Sequence, residues 1–427
     1  MKNIESIAHK LATIWHKVYV VGSYNVYTLL WKNLTSDIDL ATSATPDEMR
    51  TVLNVVGEIG EKYGTLIVKE WEEIYEITTF RRDIGTLNQR RPEEVIYTDS
   101  IEEDASRRDF SFNAIYYEPL KKEYIDPTWW IDDLKNWIIR FVWDPNKRLD
   151  EDILRVLRYI RLKNKYWFSP HDASYDDIIS RRIIELANIS WERIKSELDK
   201  MLLDSSNIQA LKDLKQYWYF KEFLPSIDML SLTPWGKVIH LEGDVWVHTL
   251  LVIEQLNVLK CQDIDIYWAG LLHDIGKYPT HTYDDQGNIH YYRHDYIWAQ
   301  MFMNEIIKML PFSNKSQKRI KWLIDNHIRI GSIEEMRKHK KYEFMMHQYF
   351  SDLITLYTAD TLGKVPTDKN KPVRIKDFYN SFQEKLKAIT FLSGDDIMRM
   401  YPDLVWKEIW AKLKIKNTKM IDSIQIP

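Results

Sequence analysis

Two aspartates, Asp37 and Asp39, alternate in the stretch SDIDLAT, and a Gly22-Ser23 pair precedes them in VVGSYNVYTLL. Side chains two apart on an extended chain leave the same face, so both carboxylates point one way while Ile38 and Leu40 face a core. Carboxylates so placed can bridge divalent metal. Mg2+ held there activates an attacking hydroxyl and neutralises a leaving pyrophosphate, the two-metal arrangement for in-line phosphoryl transfer. The Gly22-Ser23 turn offers close backbone approach, free N–H groups and a hydroxyl to a triphosphate, with a helix N-terminus behind it. An i,i+2 acidic pair alone has a plainer reading as a solvated strand edge. The apolar strand and the turn ahead of it favour the metal.

A second set of metal-ligand types follows downstream: His248, the adjacent His273-Asp274, His294, His327 and Asp360. His273-Asp274 sits inside YWAGLLHDIGK, and polar groups in such apolar surroundings need partners. Metal ligation satisfies both. Any one of these histidines alone reads more simply as a core or surface residue; their ordered set favours a site. Imidazole and carboxylate suit Ni2+, Mn2+, Mg2+ or Co2+, and metal-bound water of lowered pKa attacks phosphate esters. His248, His273, Asp274 and Asp360 form the firmer ligand set; His294 and His327 serve a second metal or the phosphate.

The elements that must hold these residues differ along the chain. Residues 18–140 alternate short β-rich runs (KVYVV, DIDLAT, GTLIV, YEITTF, AIYYEP) with helical stretches, and after RLDEDILRVLRYIRLK the apolar period is almost wholly helical. The expected fold is α+β, a small mixed sheet with helices followed by an elongated all-α body. The 427 residues exceed one ordinary core, and four segments are anticipated: 1–140, 141–230, 231–365 and 366–427. One cysteine, Cys261, excludes an internal disulfide framework and a Cys-rich zinc site. No apolar run of membrane-spanning length and no signal-peptide core occur, so a cytoplasmic protein is expected. The formal charge of −4 argues against a chain coated in positive charge, yet RYIRLKNK, NKSQKRIK, MRKHKK and KLKIKNTK are basic tracks able to meet phosphates. Such runs more often just solvate a helix face.

The acidic pair after a Gly-Ser turn resembles the nucleotidyltransferase superfamily that includes DNA polymerase β. DIDLATSATPDEM, YEITTFRRD, RRPEEVIYTDSIEEDASRRDFSFNAIYYEP and DEDILRVLRYIRL, in that order, are similar to the bacterial class II CCA-adding tRNA nucleotidyltransferases and their poly(A) polymerase relatives. This resemblance covers about residues 15–230. The His, His-Asp, His, His, Asp order resembles the HD phosphohydrolase domain, which is also found fused to those enzymes.

The resemblance implies Asp37 and Asp39 as Mg2+ ligands. Glu76 is a third candidate carboxylate from a neighbouring strand, or simply a solvated one. Arg107, Arg108, Asp109 and Asn113 would hold ribose and phosphates, since guanidinium geometry suits phosphate and a carboxylate accepts from a ribose hydroxyl; a structural ion-pair network is the alternative. Glu151, Asp152, Arg155 and Arg158 fall in the family's base-selecting segment. There Asp and Arg side chains hydrogen-bond the Watson–Crick edges of cytosine and adenine, and a mismatched base would leave buried polar groups unpaired. On an unbroken helix Asp152 and Arg155 would be i,i+3 neighbours on one face, which as a plain surface ion pair stabilises by only a few tenths of a kcal/mol.

Implied partners are tRNA, CTP and ATP, with no membrane and no obligate protein partner. The implied activity is Mg2+-dependent, template-independent CCA addition to tRNA, beside an HD phosphohydrolase using a transition metal such as Ni2+ or Mn2+. Alternatives are a poly(A) polymerase, a CC- or A-adding enzyme, and an HD hydrolase with a non-catalytic RNA-binding head. One departure bears on activity: Val26 and Tyr27 stand where the family has Arg-Asp, which either weakens nucleotide affinity or moves that cation's task to Arg82 or another residue.

The chain has 17 Trp and 13 Gly, against a usual glycine share of about 7%, or roughly 30 residues here. Trp31, Trp129, Trp130, Trp137, Trp143, Trp167, Trp298, Trp406 and Trp410 fall where the resembled family holds glycine, several at turns and helix ends. The pattern is the one expected of a gene whose UGA codons mean glycine but have been read as tryptophan; the plainer alternative is a naturally Trp-rich protein. Trp246 and Trp322 suit their surroundings as tryptophan.

Overall fold

The computed structural model describes residues 2–30, 38–58, 63–85, 94–234, 243–389, 392–403 and 405–423. Asp37 and Trp31 lie outside them. The chain divides into two units, Met1–Glu222 and Phe223–Pro427.

The first unit is built on a seven-stranded mixed sheet. Its strands are β1 (Val18–Val21), β2 (Asp39–Thr42), β3 (Val55–Glu58), β4 (Thr65–Glu70) and β5 (Glu73–Thr79). After a separate hairpin of β6 (Arg81–Ile84) and β7 (Glu94–Tyr97) come β8 (Tyr116–Glu118) and β9 (Glu123–Ile125). The order is β3-β4-β5-β2-β1-β8-β9. The β2–β5 pair is parallel; the other pairs in this sheet are antiparallel.

β1 is buried along its whole length, which explains its unbroken apolar run: both sheet faces are covered. Val18 and Val20 join Leu40, Leu66, Val68 and Ile77 with Ile4, Ile7 and Leu11 of the N-terminal helix. Tyr19 and Val21 pack on the other face with Ala41, Phe80 and Tyr116. Burying each large apolar side chain stabilises by about 1.5–3 kcal/mol, so Leu40 and Ile77 anchor the register of β2 against β5. A slip by one residue would turn Asp39 and Glu76 into the core.

Helices complete the unit, including Pro145–Glu151, Arg155–Tyr166 and Trp191–Leu202. Among its described residues the second unit has helices and one short hairpin, His281–Tyr283 with Ile289–Tyr291. Its helices Val245–Val258, Ile264–Leu272, Asn314–Asn326 and Phe350–Leu362 carry long apolar faces. Mutual packing explains why their sequence reads as continuously helical. Among the described residues no helix is long and apolar enough to cross a membrane.

Candidate active site and candidate metal centre

In the first unit a cavity of about 890 Å3 opens beside the ends of β2 and β5. Asp39 pairs with Val21 across β1 and with Glu76 across β5. Both carboxylates therefore leave the sheet opposite Leu40 and Ile77, into the cavity that Gly22 and Ser23 also line. Gly22 holds φ 71°, and a Cβ there would come within 3.2 Å of Asp39 Oδ2. Conformation therefore favours glycine, and a methyl there would push the Asp39 carboxylate aside by a few tenths of an ångström. Ser23 begins the helix Ser23–Leu29, as the turn predicts.

Arg107, Arg108, Asp109, Asn113, Asp152, Arg155 and Arg158 line the same cavity. Arg107 and Arg108 converge on the buried Asp104. Its Oδ1 accepts from Arg107 Nη2 at 2.6 Å, and its Oδ2 from Arg108 Nη2 at 2.8 Å and Tyr116 Oη at 2.6 Å. Burial alone would raise the Asp104 carboxyl, but the two guanidiniums hold it well below the usual range. The structural network and the cavity lining are therefore the same residues.

Asp109 Oδ1 accepts from the Phe110 amide and Asn113 Nδ2, and its Oδ2 faces Arg158 at 2.5 Å. Burial opposes ionisation there, yet Arg158 and Asn113 bring the carboxyl down to about 2. Glu151 pairs with Arg148 and, at 2.7 Å, with Arg155.

The Asp152–Arg155 pair departs from the expected single helical face. Asp152 closes the helix Pro145–Glu151 with φ −150°, and Arg155 opens the next helix. The cause is local: Asp152 Oδ1 accepts from the Leu154 amide, an alternative to helical bonding that short polar side chains offer the backbone. Its Oδ2 accepts from Arg193 Nη2 at 2.7 Å. Arg82 lies on the β6–β7 hairpin, 3.8 Å from Glu103, and lines an adjoining cavity of about 400 Å3 that shares Arg107, Asp152 and Arg155 with the larger one.

Residues that the site reading passed over also line the larger cavity: Arg161, Lys165, Arg193 and Lys200. Arg158, Arg161 and Lys165 recur at three and four along one helix, inside a run noted only as a basic track. Arg193 and Lys200, seven apart on another helix, gave the same kind of signal.

In the second unit five of the ligand candidates are buried and His294 is half-buried. His248 Nε2 lies 3.1 Å from Asp360 Oδ1, 3.3 Å from His273 Nε2 and 3.8 Å from Asp274 Oδ2. His273 Nε2 lies 3.1 Å from that Asp274 oxygen. Such spacings suit atoms sharing a centre about 2 Å from each. A second group, Asp274 with His294 and His327, brings its ligand atoms within 4.8 Å of one another.

The imidazoles are oriented in the way metal ligation would need. Nδ1 of His273, His294 and His327 each donates to a carbonyl, of Gly270, Tyr291 and Ile324, which presents Nε2 inward. Asp274 Oδ1 and His294 Nε2 are buried with no hydrogen-bond partner among the described residues, a cost that a cation would remove. Burial lowers His248, and it pushes His327 down to about 4. His273 is raised against burial by Asp274 and Asp360. Lys277 and Lys364, also missed from the sequence, reach Asp274 at 2.7 Å and Asp360 at 2.8 Å.

Residues 18–140 match the Poly A polymerase head domain family, 178–230 the probable RNA and SrmB-binding site of polymerase A, and 245–364 the HD domain family. Divalent metal use is implied by the head and HD families together. The CCA-adding enzyme of Staphylococcus saprophyticus is 33% identical over 53% of this chain and 56% of its own length. That of Limosilactobacillus reuteri is 31% identical over 58% and 62%, so the chain spans little more than half the length of these two relatives. A Bacillus stearothermophilus CCA-adding enzyme solved with CTP shares the fold at a TM-score of 0.70 and 20% identity, over 99% of this chain and 92% of that one. The Anoxybacillus flavithermus CCA-adding enzyme is 30% identical over 67% of this chain and 79% of its own length. The chain belongs to the family of CCA-adding enzymes with a poly(A) polymerase-type head and an HD domain.

Proposed function

We propose that the chain adds CCA to tRNA 3′ ends from CTP and ATP by Mg2+-dependent, template-independent nucleotidyl transfer. The carrying observation is one cavity holding Gly22, Ser23, Asp39 and Glu76 on one side with Asp152, Arg155 and Arg158 on another. Asp39, with Asp37 and Glu76, would hold Mg2+, which when bound activates the 3′-hydroxyl and neutralises the leaving pyrophosphate. The Gly22-Ser23 turn would receive the triphosphate.

Lys165 would supply the cation that Val26 cannot. Seven cationic side chains lining the cavity (Arg107, Arg108, Arg155, Arg158, Arg161, Arg193 and Lys200) each lie within 3.0 Å of a carboxylate. Lys165 has no such partner among the described residues; its ammonium sits 6.0 Å from the Tyr27 ring and 5.4 Å from that of Tyr166. Its charge is left for an anion. Asp152, braced by Arg193, and Arg155, braced by Glu151, would present fixed donors and acceptors to the base.

A cytoplasmic location is part of the same reading, since tRNA, CTP and ATP are available there. The test is tRNA lacking its CCA, incubated with CTP, ATP or both: ordered CCA growth supports the reading, while A-only tails or no extension refute it. In the second unit the converging His248, His273, Asp274 and Asp360 support a phosphohydrolase using Ni2+, Mn2+ or a similar ion. Phosphate-ester hydrolysis of a 2′,3′-cyclic nucleotide, lost in His273→Ala and kept in Asp37→Ala, tests it.

A further inference from the structure

Ten non-glycine residues adopt positive φ among the described residues, and seven of them are tryptophan: Trp15, Trp71, Trp129, Trp137, Trp143, Trp167 and Trp218, at φ 57–67°. Any L-residue with a Cβ is disfavoured there and a bulky one is an outlier. Burial does not compensate, since all seven are 38–95% exposed. Chance placement of a residue type that makes up 17 of 427 positions does not produce this concentration.

The backbone motifs around these positions are those that glycine serves. After the N-terminal helix, Trp15 N–H bonds the Ala12 carbonyl and His16 N–H that of Leu11. Trp167 and Phe168 repeat the pattern on Asn164 and Lys163. Both are Schellman ends with the tryptophan at the left-handed position. Glu70 pairs with Glu73 across the β4–β5 hairpin, so Trp71 is the first residue of a two-residue loop. With positive φ at that position alone the loop is a type II′ turn, whose first place belongs to glycine. Trp137 and Trp218 follow helix ends, bonding the Leu134 and Lys215 carbonyls.

We propose that these seven positions are glycine in the protein as its own host makes it, encoded by UGA. Sequence context alone had pointed to Trp129, Trp137, Trp143 and Trp167; the backbone adds Trp15, Trp71 and Trp218. It gives no such mark to Trp130, which has φ −118°, nor to Trp298 and Trp410 inside helices. Trp31 and the Trp406 side chain lie outside the described residues. The consequence reaches the active site: Trp167 ends the helix that carries Arg155, Arg158 and Lys165, and Trp71 turns the strand that carries Glu76. A chain made with tryptophan there is a strained form of the enzyme.

Three readouts test this. The gene should carry UGA at the seven codons and UGG at Trp246 and Trp322; UGG at most of the seven overturns the proposal. Peptide mass spectrometry of the chain from its host should find glycine at 129, 137, 143 and 167, and tryptophan there overturns it. In recombinant protein the sevenfold Trp→Gly variant should melt higher than the tryptophan form. Trp322→Gly, which removes a ring stacked on His347 at 3.9 Å, should melt lower. A sevenfold variant that melts no higher, or that fails to fold, counts against the proposal.

Discussion

Replacing Lys165 with methionine keeps most of the side chain's apolar stem and removes its charge. Lys165 is half-buried in the cavity that Gly22 and Ser23 line, and no carboxylate neutralises it among the described residues. A hydrogen bond to a charged group contributes about 1.5–3 kcal/mol, and each 1.4 kcal/mol is tenfold, so kcat/KM should fall roughly ten- to a hundredfold. The triphosphate is common to both nucleotides. Single-nucleotide incorporation kinetics should therefore show the same loss for CTP and ATP, expressed mainly in KM. Stability should fall by no more than about 1 kcal/mol, because among the described residues only the contacts with the Tyr27 and Tyr166 rings are lost. Arg158→Met is the contrast: it strands the buried Asp109 charge and should cost about 3–5 kcal/mol of stability. A Lys165→Met enzyme within twofold of wild type for both nucleotides, or impaired for one alone, would refute the assignment.

Gly22→Ala forces an L-residue to φ 71° and drives a methyl toward Asp39 Oδ2; incorporation should collapse while stability falls by about 1–2 kcal/mol, read by activity and chemical denaturation in parallel. Asp109 has a folded pKa of about 2, below its ordinary value of 3.8. Its contribution is therefore present above pH about 4 and lost as pH falls through about 2, an acid-limb loss of about 2 kcal/mol that denaturation across pH should show and Asp109→Asn should flatten. Mn2+ or Ni2+ should raise the melting temperature through the second unit, in proportion to RT ln(1 + [L]/Kd); calorimetry of His273→Ala should show that rise abolished. Arg193→Met frees Asp152 Oδ2, and misincorporation of UTP or GTP should increase while correct-nucleotide KM changes little.

Much of this protein is local and so was written in its residue order. Strand alternation put Asp39 on the face opposite its neighbour Leu40 whatever surrounds them. The Gly22-Ser23 turn was legible for the same reason: few residues adopt its backbone. The histidine and aspartate types of the second unit were visible as a set. Tertiary structure decided what no spacing encodes. Asp104, one acid among several in IEEDASRRDF, becomes the buried anchor of two arginines only when β8 brings Tyr116 beside it. Asp152 breaks the helix that its spacing to Arg155 assumed, and Arg193, 41 residues away, holds its free oxygen. Lys165 stands out only once every neighbouring cation is seen to have its carboxylate. Periodicity is set by the backbone of a few residues, whereas charge neutralisation and metal geometry depend on which distant side chains the packed core brings within a few ångströms.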